Sequence, residues 1–498
     1  MKKTLRIICL LMALLTVLTV VACTKENDKP KDTNKNSPTT GSVDSGDRLS
    51  ADDGIPKQSF KGLKYRVSCS ENADHEVFSE DNEEIVEAAI YNRNLAIEDK
   101  YDIEIVPVIT TGYAPGEGQL LHERAVITSL SANDHDFDTV LMCAWRAGTI
   151  ITQGLFYDWN DDVPGVNFEQ PWWNKRCNEA FTINGMLYAA VGDLSLTSLE
   201  LSHCYLFNKK IAADNQIEDL YTIVDNGEWT VDYVKQLSVN IYNDLNRDGN
   251  KDKEDQYGFA SGLVTNLDAY LPSFGISLVE KDGDGELALA FENDTEKMQT
   301  AYEKVSDLFY NNAGAYISMT DAEYTDRYTM FANGNVLFTD GTFNVLTNQC
   351  RDMTDEFGVL PYPKLDETQT NYYSNAHDNF SVLCLAYNVE NIDMVGKVTE
   401  SLCCENYRTV FTAYYEKALK DKYTDDDNDE RMLDMIMDGR NYDLAVLFAP
   451  DLSRLYYVFR DSIRENTSIS TEIDRRLDTW KFVLEELQET YKDLEANK

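Results

Sequence analysis

Three short stretches near the start of the chain decide its fold: LKYRVSC at residues 63–69, IEIVPVI at 103–109 and DTVLMC at 138–143. Apolar and β-branched residues dominate them, which predicts buried strands. The intervening residues 83–100 and 120–130 carry apolar side chains at the three- and four-residue spacing of a helix. This β-α-β-α-β order predicts an α/β fold in which an open, mostly parallel sheet lies between helices.

Ligands of such sheets bind beyond the carboxyl ends of the strands, so the segments after Cys69 and Cys143 are favoured positions for a site. Trp145 and Arg146 follow the third strand almost directly. An aromatic ring beside a charged or amide side chain suits a sugar, because the C–H face of the sugar stacks on the ring while its hydroxyls form hydrogen bonds. For any single aromatic residue, packing in the core is the alternative.

The alternation of strands and helices continues to the end of the chain. Further strands are predicted at 186–191, 204–207, 336–338, 357–360 and 380–387, a helix at 229–242, a hairpin turn at 282–285, a helix start at 320–323 and a C-terminal helix whose apolar stripe runs from Ile473 to Leu494. That stripe could be a coiled-coil seam, but packing on its own domain is favoured.

Two further segments offer aromatic and acidic side chains. A predicted turn, Thr339-Asp340-Gly341, would present Asp340 and the nearby Phe343, and Tyr373 lies in a polar loop before the strand at 380–387. With Trp145 and Arg146, these residues are the predicted sugar contacts.

The composition excludes several functions. The 498 residues contain 45 Lys+Arg and 87 Asp+Glu, a formal net charge of −42. Nucleic-acid binding and adsorption to anionic membranes both need clustered basic residues, so neither is expected. The few histidines form no HExxH pair, and the chain has no GxSxG, P-loop or GxGxxG motif. A glycosidase that uses two carboxylates stays open, although no single pair stands out.

The N-terminus predicts export and a lipid anchor. Lys2, Lys3 and Arg6 precede an apolar run at 7–21, which is too short to span a membrane but typical of a signal peptide. Small residues before Cys23 resemble a bacterial lipobox, in which cleavage after residue 22 leaves a lipid-modified cysteine. The alternative is an ordinary signal peptide with an incidental cysteine. Residues 23–59 are polar and predict a flexible tether.

Residues 244–255 match the twelve-residue calcium loop. The oxygen ligands would come from Asp244, Asn246, Asp248, the carbonyl of Asn250, Asp252 and Asp255. Position 12 holds Asp255 where the motif usually has Glu, and its shorter side chain favours weaker binding. The predicted calcium ion is structural; an acidic turn without a metal is the alternative.

Taken in order, several short motifs resemble the extracellular solute-binding lipoproteins of bacterial ABC importers, in the branch that includes maltose- and oligosaccharide-binding proteins. The motifs are NGMLY at 184–188, YLFNKK at 205–210, GEWT at 227–230, DQYGF at 255–259, FANG at 331–334 and FGVLPYPK at 357–364. A lipobox followed by a tether is typical of this family in Gram-positive bacteria.

The resemblance implies the type II two-lobed fold of periplasmic binding proteins, with the ligand between the lobes and three crossings, near 199–204, 381–385 and 440–447. Lobe 1 would hold residues 60–198 with 386–440, and lobe 2 would hold 204–380 with 448–498. The family's site positions fall on Trp145, Arg146, Tyr270 and Phe343. Many sugar binders of the family have Trp at the position of Phe343.

The leading hypothesis is therefore a non-catalytic, monomeric binding protein that is lipid-anchored on the outer face of the cell membrane. It would capture a carbohydrate, expected to be an oligosaccharide, and deliver it to the permease subunits of an ABC importer. A surface glycoside hydrolase or lyase is the enzyme alternative. A surface protein made rigid by calcium is the structural alternative.

Overall fold

The structure is a computed structural model, and it describes residues 48–112, 118–161, 163–283, 285–320, 323–420 and 427–497. The predicted signal peptide and Cys23 lie outside the described residues. Within these ranges no helix is both long and apolar enough to span a membrane.

The first lobe is built on a five-stranded sheet with the order β2-β1-β3-β13-β4. Its strands are β1 Leu63–Ser70, β2 Ile103–Thr110, β3 Thr139–Cys143, β4 Phe156–Tyr157 and β13 Ser381–Ala386. β1 pairs in parallel with both β2 and β3, whereas β13 is antiparallel to β3. The three predicted N-terminal strands and their parallel pairing are therefore confirmed.

The second lobe is built on a larger mixed sheet with the order β10-β7-β11-β5-β12, with β6 beside β7. Its strands are β5 His203–Asn208, β6 Tyr242–Asn243, β7 Gln256–Gly262, β10 Ala315–Ser318, β11 Val336–Thr342 and β12 Phe357–Leu360. The predicted hairpin forms separately from β8 Val279–Lys281 and β9 Leu287–Leu289. The predicted two α/β lobes are thus present.

Helices cover both sheets. Their bounds are Ile85–Tyr101, Gly118–Ala132, Ala144–Ile151, Lys175–Phe181, Thr197–Glu200, Lys209–Asp214, Leu220–Asp225, Val231–Ser238, Tyr270–Ser273, Thr295–Tyr310, Asp326–Ala332, Phe343–Asn348, Ile392–Glu405, Asp427–Asp438, Val458–Glu465 and Ile469–Ala496. The helix Ile392–Glu405 continues as π-helical turns over Asn406–Val410 and Thr412–Lys420.

Three chain segments run side by side between the lobes. Ser202 pairs with Ala376, and Ser374 pairs with Arg440, each through an isolated β-bridge. The second crossing therefore lies at residues 374–380 and not at the predicted 381–385. The reason is that β13 pairs with β3 along Ser381–Leu385, so these residues already belong to the first sheet.

The structure also divides the C-terminal part differently from the predicted ranges. The helix Asp427–Asp438 packs on the second lobe, where the Asp429 carboxylate accepts hydrogen bonds from the Val359 amide at 2.8 Å and the Tyr221 hydroxyl at 2.6 Å. The last helix touches both lobes. Its Trp480 packs on Phe291, and its Tyr491 packs on Tyr188 near the first sheet.

The predicted tether is shorter than expected, because residues 48–59 pack on the first lobe. The Arg48 guanidinium lies 4.2 Å from the ring centre of Tyr407 and 3.9 Å from that of Phe411. Asp53 forms an ion pair with Lys100 at 2.6 Å. The polar composition predicted a flexible segment, but Arg48 and Asp53 contact residues that are distant in sequence.

Two local predictions are wrong. Residues 186–191 form no strand and contribute only isolated bridges to their neighbours. Residues 339–341 are not a turn: they continue β11, where Asp340 lies opposite Tyr205 and Gly341 opposite Cys204 in the antiparallel pairing with β5. Pairing with β5 therefore outweighs the turn tendency of the Asp-Gly sequence.

Candidate functional site

The edge of the first lobe that faces the second begins directly after β3. There the helix Ala144–Ile151 presents the side chains of Trp145 and Arg146, which are both partly exposed. The Arg146 guanidinium lies 3.9 Å from the centre of the Trp145 ring and 3.3 Å from the Glu123 carboxylate. The cation and the ring therefore form one aromatic and charged surface.

The opposing edge of the second lobe is formed by the 3₁₀ turn Thr265–Ala269, after β7, and by the helix Val458–Glu465. Asp268 and Arg460 form an ion pair between these two elements at 2.9 Å. Arg460 also lies 4.3 Å from the centre of the Tyr457 ring. This edge repeats the pattern of the first: a ring, a guanidinium and a carboxylate.

The two edges lie close enough to interact electrostatically. Burial raises the pKa of Tyr457, as do the charges of Asp378 and Asp268, whereas Arg460 and Arg146 lower it. Arg146 belongs to the first lobe and Tyr457 to the second. We call the whole set the interlobe site; its members are Trp145, Arg146, Thr265, Asp268, His377, Asn379, Tyr457 and Arg460.

The second crossing reaches the interlobe site through His377, Asp378 and Asn379. The Asn379 Oδ1 accepts a hydrogen bond from the Trp145 indole at 2.8 Å, and the His377 Nε2 lies 2.8 Å from the Thr265 Oγ1. Asp378 is buried beside His377, and its Oδ1 lies 3.0 Å from the His377 Nδ1.

Asp268 is a strongly perturbed carboxylate of the site. Its side chain is 5% exposed, and neither of its oxygens has a hydrogen-bond partner in addition to the ion pair with Arg460. Burial outweighs the attraction of Arg460 and raises the pKa of Asp268 to about 7. Buried polar atoms normally have a hydrogen-bond partner, so these oxygens are candidates to accept hydrogen bonds from the hydroxyls of a ligand.

We expect Asp268 to make the protein less stable as the pH rises towards 7. Its pKa rises from the ordinary 3.8 to about 7 on folding. Between these values the folded state therefore holds a proton that the unfolded state has released. The unfolding free energy of the wild type should fall relative to that of Asp268→Asn, by at most ~1.4 kcal/mol per pH unit. Chemical denaturation across this range measures the difference, and parallel profiles for the two proteins would contradict it.

Three of the residues predicted to contact a sugar lie in the core in this structure. Tyr270, Asp340 and Phe343 are all 0% exposed. The Tyr270 hydroxyl forms a hydrogen bond with the Tyr205 hydroxyl at 2.5 Å, and Phe343 packs against Tyr415 of the π-helical segment. None of the three offers an open surface to a ligand, so we exclude them from the proposed contacts.

Asp340 belongs instead to a buried polar network beneath the second-lobe edge. It forms an ion pair with Arg327 at 3.3 Å, and both side chains are 0% exposed. Its other carboxylate oxygen accepts hydrogen bonds from Ser261 at 2.5 Å and from the Asn266 amide at 2.9 Å. The network therefore fixes the end of β7 and the start of the 3₁₀ turn that carries Asp268.

Tyr373 lies in a different place from Trp145. It lines a surface cavity of about 370 Å³ together with residues that include Gly275, Lys297 and Asp366. A hydrogen bond from the Gln369 amide to the Ser273 carbonyl holds the wall of this cavity in place. The structure therefore brings Trp145 and Arg146 together but does not bring Tyr373 to them.

The loop at 244–255 folds into the turn that its glycine predicts, with φ of +80° at Gly249. Its side chains accept hydrogen bonds from the loop's own backbone, for example Asp248 from the Asn250 amide at 2.7 Å. Asp255 is buried and accepts a hydrogen bond from the Tyr242 hydroxyl at 2.8 Å. No three His, Cys, Asp or Glu side chains converge as metal ligands anywhere in the described part of the chain. Calcium binding by this loop stays a prediction.

No protein-family model matches the chain, and no curated protein matches it in sequence. Solved structures do match. One is UgpB from Mycobacterium tuberculosis in complex with glycerophosphocholine, with a TM-score of 0.56, 12% identity and coverage of 85% of this chain and 98% of that chain. The GacH receptor of Streptomyces glaucescens, solved unliganded and with acarbose, has a TM-score of 0.52, 12% identity and coverage of 87% and 98%.

An ABC substrate-binding protein of Listeria monocytogenes in complex with cycloalternan also matches, with a TM-score of 0.51, 10% identity and coverage of 88% of this chain and 99% of that chain. At such identities the likeness establishes the fold. The predicted two-lobed fold of periplasmic binding proteins is therefore confirmed. The three structures are described as a receptor or as binding proteins, or by what they bind, and none is described as an enzyme.

Sequence reasoning missed several members of the interlobe site: Thr265, Asp268, His377, Asn379, Tyr457 and Arg460. Two signals were available. Tyr457 caps the short helix Val458–Glu465, and Arg460 lies three residues after it, a spacing that places the two side chains on one side. The polar run His377-Asp378-Asn379 lies just before a buried strand and marks a polar end of that strand.

Proposed function

We propose that the chain is the substrate-binding subunit of an ABC importer and that it holds a carbohydrate at the interlobe site. The observation that carries this proposal is the pair of facing edges, each with an aromatic ring, a guanidinium and a carboxylate. Lobe closure is driven by contacts that only the closed state makes, so a ligand held by both edges would favour closure.

The charges of the site support a neutral ligand. Arg146 is paired with Glu123, and Arg460 with Asp268. Paired charges offer strong hydrogen-bond donors and acceptors without a large net charge, which suits the hydroxyls of a sugar better than a phosphate or a carboxylate. The rings of Trp145 and Tyr457 would supply the stacking surface.

A thermal-shift screen of the soluble domain tests the proposal. The panel should contain maltose, maltotetraose and cellotetraose, with mannitol and glycerophosphocholine as ligands that are not sugars. A binding protein should show a higher melting temperature with at least one saccharide, because ligand that binds only the folded state stabilises it. Chromatography of the same mixtures separates the alternatives: cleaved saccharide would indicate the hydrolase or lyase, and an unchanged melting temperature throughout would favour the structural protein.

We further propose that the chain is anchored on the outer face of the membrane by lipid on Cys23. The sequence of residues 2–23 supports this, and so does the polar segment that follows. Cys23→Ser should release the protein into the medium, because a signal peptide alone leaves no stable anchor after cleavage. Fractionation of cells and medium measures the release, with a serine replacement at the buried Cys384 as the control. Retention of the Cys23 variant in the membrane would contradict the anchor.

Calcium at residues 244–255 is tested by chelation. The sequence predicts that a chelator lowers the melting temperature of the wild type but not that of Asp248→Ala, because the variant has already lost a ligand. Glu254→Ala is a suitable control, since Glu254 is exposed and is not one of the predicted ligands. A wild-type melting curve that is the same with and without the chelator would contradict calcium binding at residues 244–255.

A further inference from the structure

Three consecutive residues of the second crossing, His377 to Asn379, reach functional groups on both lobes. On the side of the first lobe, the Asn379 Oδ1 accepts a hydrogen bond from the Trp145 indole at 2.8 Å. The Asn379 Oδ1 is also close to the Cys143 thiol and the Gln119 amide, at 3.4 Å from each. A single amide oxygen therefore holds the end of β3 and the ring that follows it.

On the side of the second lobe, the His377 Nε2 lies 2.8 Å from the hydroxyl of Thr265, at the start of the turn that carries Asp268. The two halves are joined within the crossing, because the Asn379 amide N–H donates to the His377 Nδ1 at 3.2 Å. The His377 backbone N–H in turn donates to the Leu201 carbonyl of the first crossing at 2.9 Å. These contacts link the Trp145 ring, through Asn379 and His377, to the turn that begins at Thr265.

We propose that this segment couples the Trp145 ring to the second crossing: Asn379 is a positioning residue for Trp145, and His377 transmits the conformation of the crossing to Asn379. The inference rests on the proposed function of the interlobe site and deepens it by naming what orients the stacking surface. The indole acceptor belongs to the crossing, so a change in the backbone of the crossing would change the orientation of the ring.

The coupling has a physical advantage. A partly exposed indole has several rotamers in solution, and a ligand that fixes one of them loses part of its binding free energy. An acceptor held by the surrounding protein fixes the rotamer before the ligand arrives. The backbone of the crossing is the part of the chain whose geometry differs between open and closed lobes, so an acceptor placed there links rotamer to closure.

The tryptophans of the chain make this testable without a ligand. The chain has six tryptophans, and each indole N–H donates a hydrogen bond. Trp172 and Trp173 share the Glu400 carboxylate as acceptor, and only Trp145 donates to Asn379. Trp145 is partly exposed, whereas the other five tryptophans are buried. An NMR spectrum of protein labelled with ¹⁵N at the indole nitrogen should show six signals, and Trp145→Phe identifies the one from Trp145.

Asn379→Ala should shift the Trp145 indole proton upfield and speed its exchange with water, and the other five signals should stay in place and thereby report an intact fold. Asn379→Asp keeps an acceptor oxygen and should restore the downfield position. His377 is not the hydrogen-bond partner of the Trp145 indole, yet His377→Ala should also shift the Trp145 signal. Asn92→Ala is the matched control, because Asn92 is an exposed amide that donates only within its own helix.

Each outcome decides the proposal. An unmoved Trp145 signal in Asn379→Ala would overturn the positioning role. A shift in Asn379→Ala with none in His377→Ala would overturn the coupling and leave only a local contact. Failure of the saccharide screen would leave these signals unaffected, so the proposed function and the coupling fail separately.

Discussion

Replacing Asp340 by alanine should lower the free energy of unfolding by about 3–5 kcal/mol. The side chains of Asp340 and Arg327 are 0% exposed and form an ion pair at 3.3 Å, so the substitution leaves a buried guanidinium without its counter-charge. It also removes the acceptor of the Ser261 hydroxyl and the Asn266 amide. Urea denaturation measures the loss.

Two further variants separate the charge from the hydrogen bonds. Asp340→Asn keeps an acceptor oxygen but leaves Arg327 unpaired, so most of the loss should remain. The double variant Asp340→Ala with Arg327→Met removes both charges and should recover part of the stability. If Asp340 contacted a ligand as the sequence predicted, Asp340→Asn would weaken saccharide binding and leave stability unchanged, and that result would contradict the buried network.

Replacing Trp145 by alanine should weaken binding of the saccharide that gives the largest thermal shift by about 1–3 kcal/mol, or roughly 5–150-fold. The ring is partly exposed at the interlobe site and carries the Arg146 guanidinium 3.9 Å from its centre. The substitution therefore removes a stacking surface and leaves Arg146 with its ion pair to Glu123 but without the ring beneath it. Isothermal titration calorimetry measures the loss.

Trp145→Phe keeps an aromatic face and should lose less affinity than Trp145→Ala. Phe482→Ala is a control, since Phe482 is 58% exposed on the last helix and belongs to no part of the interlobe site. Unchanged affinity in Trp145→Ala would place the ligand elsewhere on the molecule. A loss of stability equal to the loss of affinity would mean that the ring acts only through folding.

The local sequence pattern predicted the strands and helices better than it predicted the residues of the interlobe site. The strands at 63–69, 103–109 and 138–143 appear with nearly the predicted ends, because continuous apolar runs specify buried strands. Trp145 and Arg146 were found by the same reasoning, since a side chain that directly follows a strand has only a short path to the ligand-facing edge. Their role as ligand contacts stays a prediction.

The same reasoning misplaced residues whose position depends on strand pairing. Asp340 and Gly341 suit a turn by composition, but pairing with Tyr205 and Cys204 of β5 extends the strand through them. Asp340 is therefore 0% exposed although carboxylates are rarely buried. A buried acid needs a partner, and no local signal identifies Arg327 as that partner.

The sequence by itself determined the α/β class, the acidic net charge and most of the strands and helices, because each of these follows from residue types or from side chains that are neighbours in the chain. Only the tertiary structure decided which residues meet between the lobes. Trp145, Asp268, Asn379 and Arg460 are separated by more than 300 residues at the extremes, yet hydrogen bonds, ion pairs and electrostatic contacts link them into one site. Such contacts are fixed by the packing of whole lobes around three crossings, and that packing leaves no periodic trace in the amino-acid sequence.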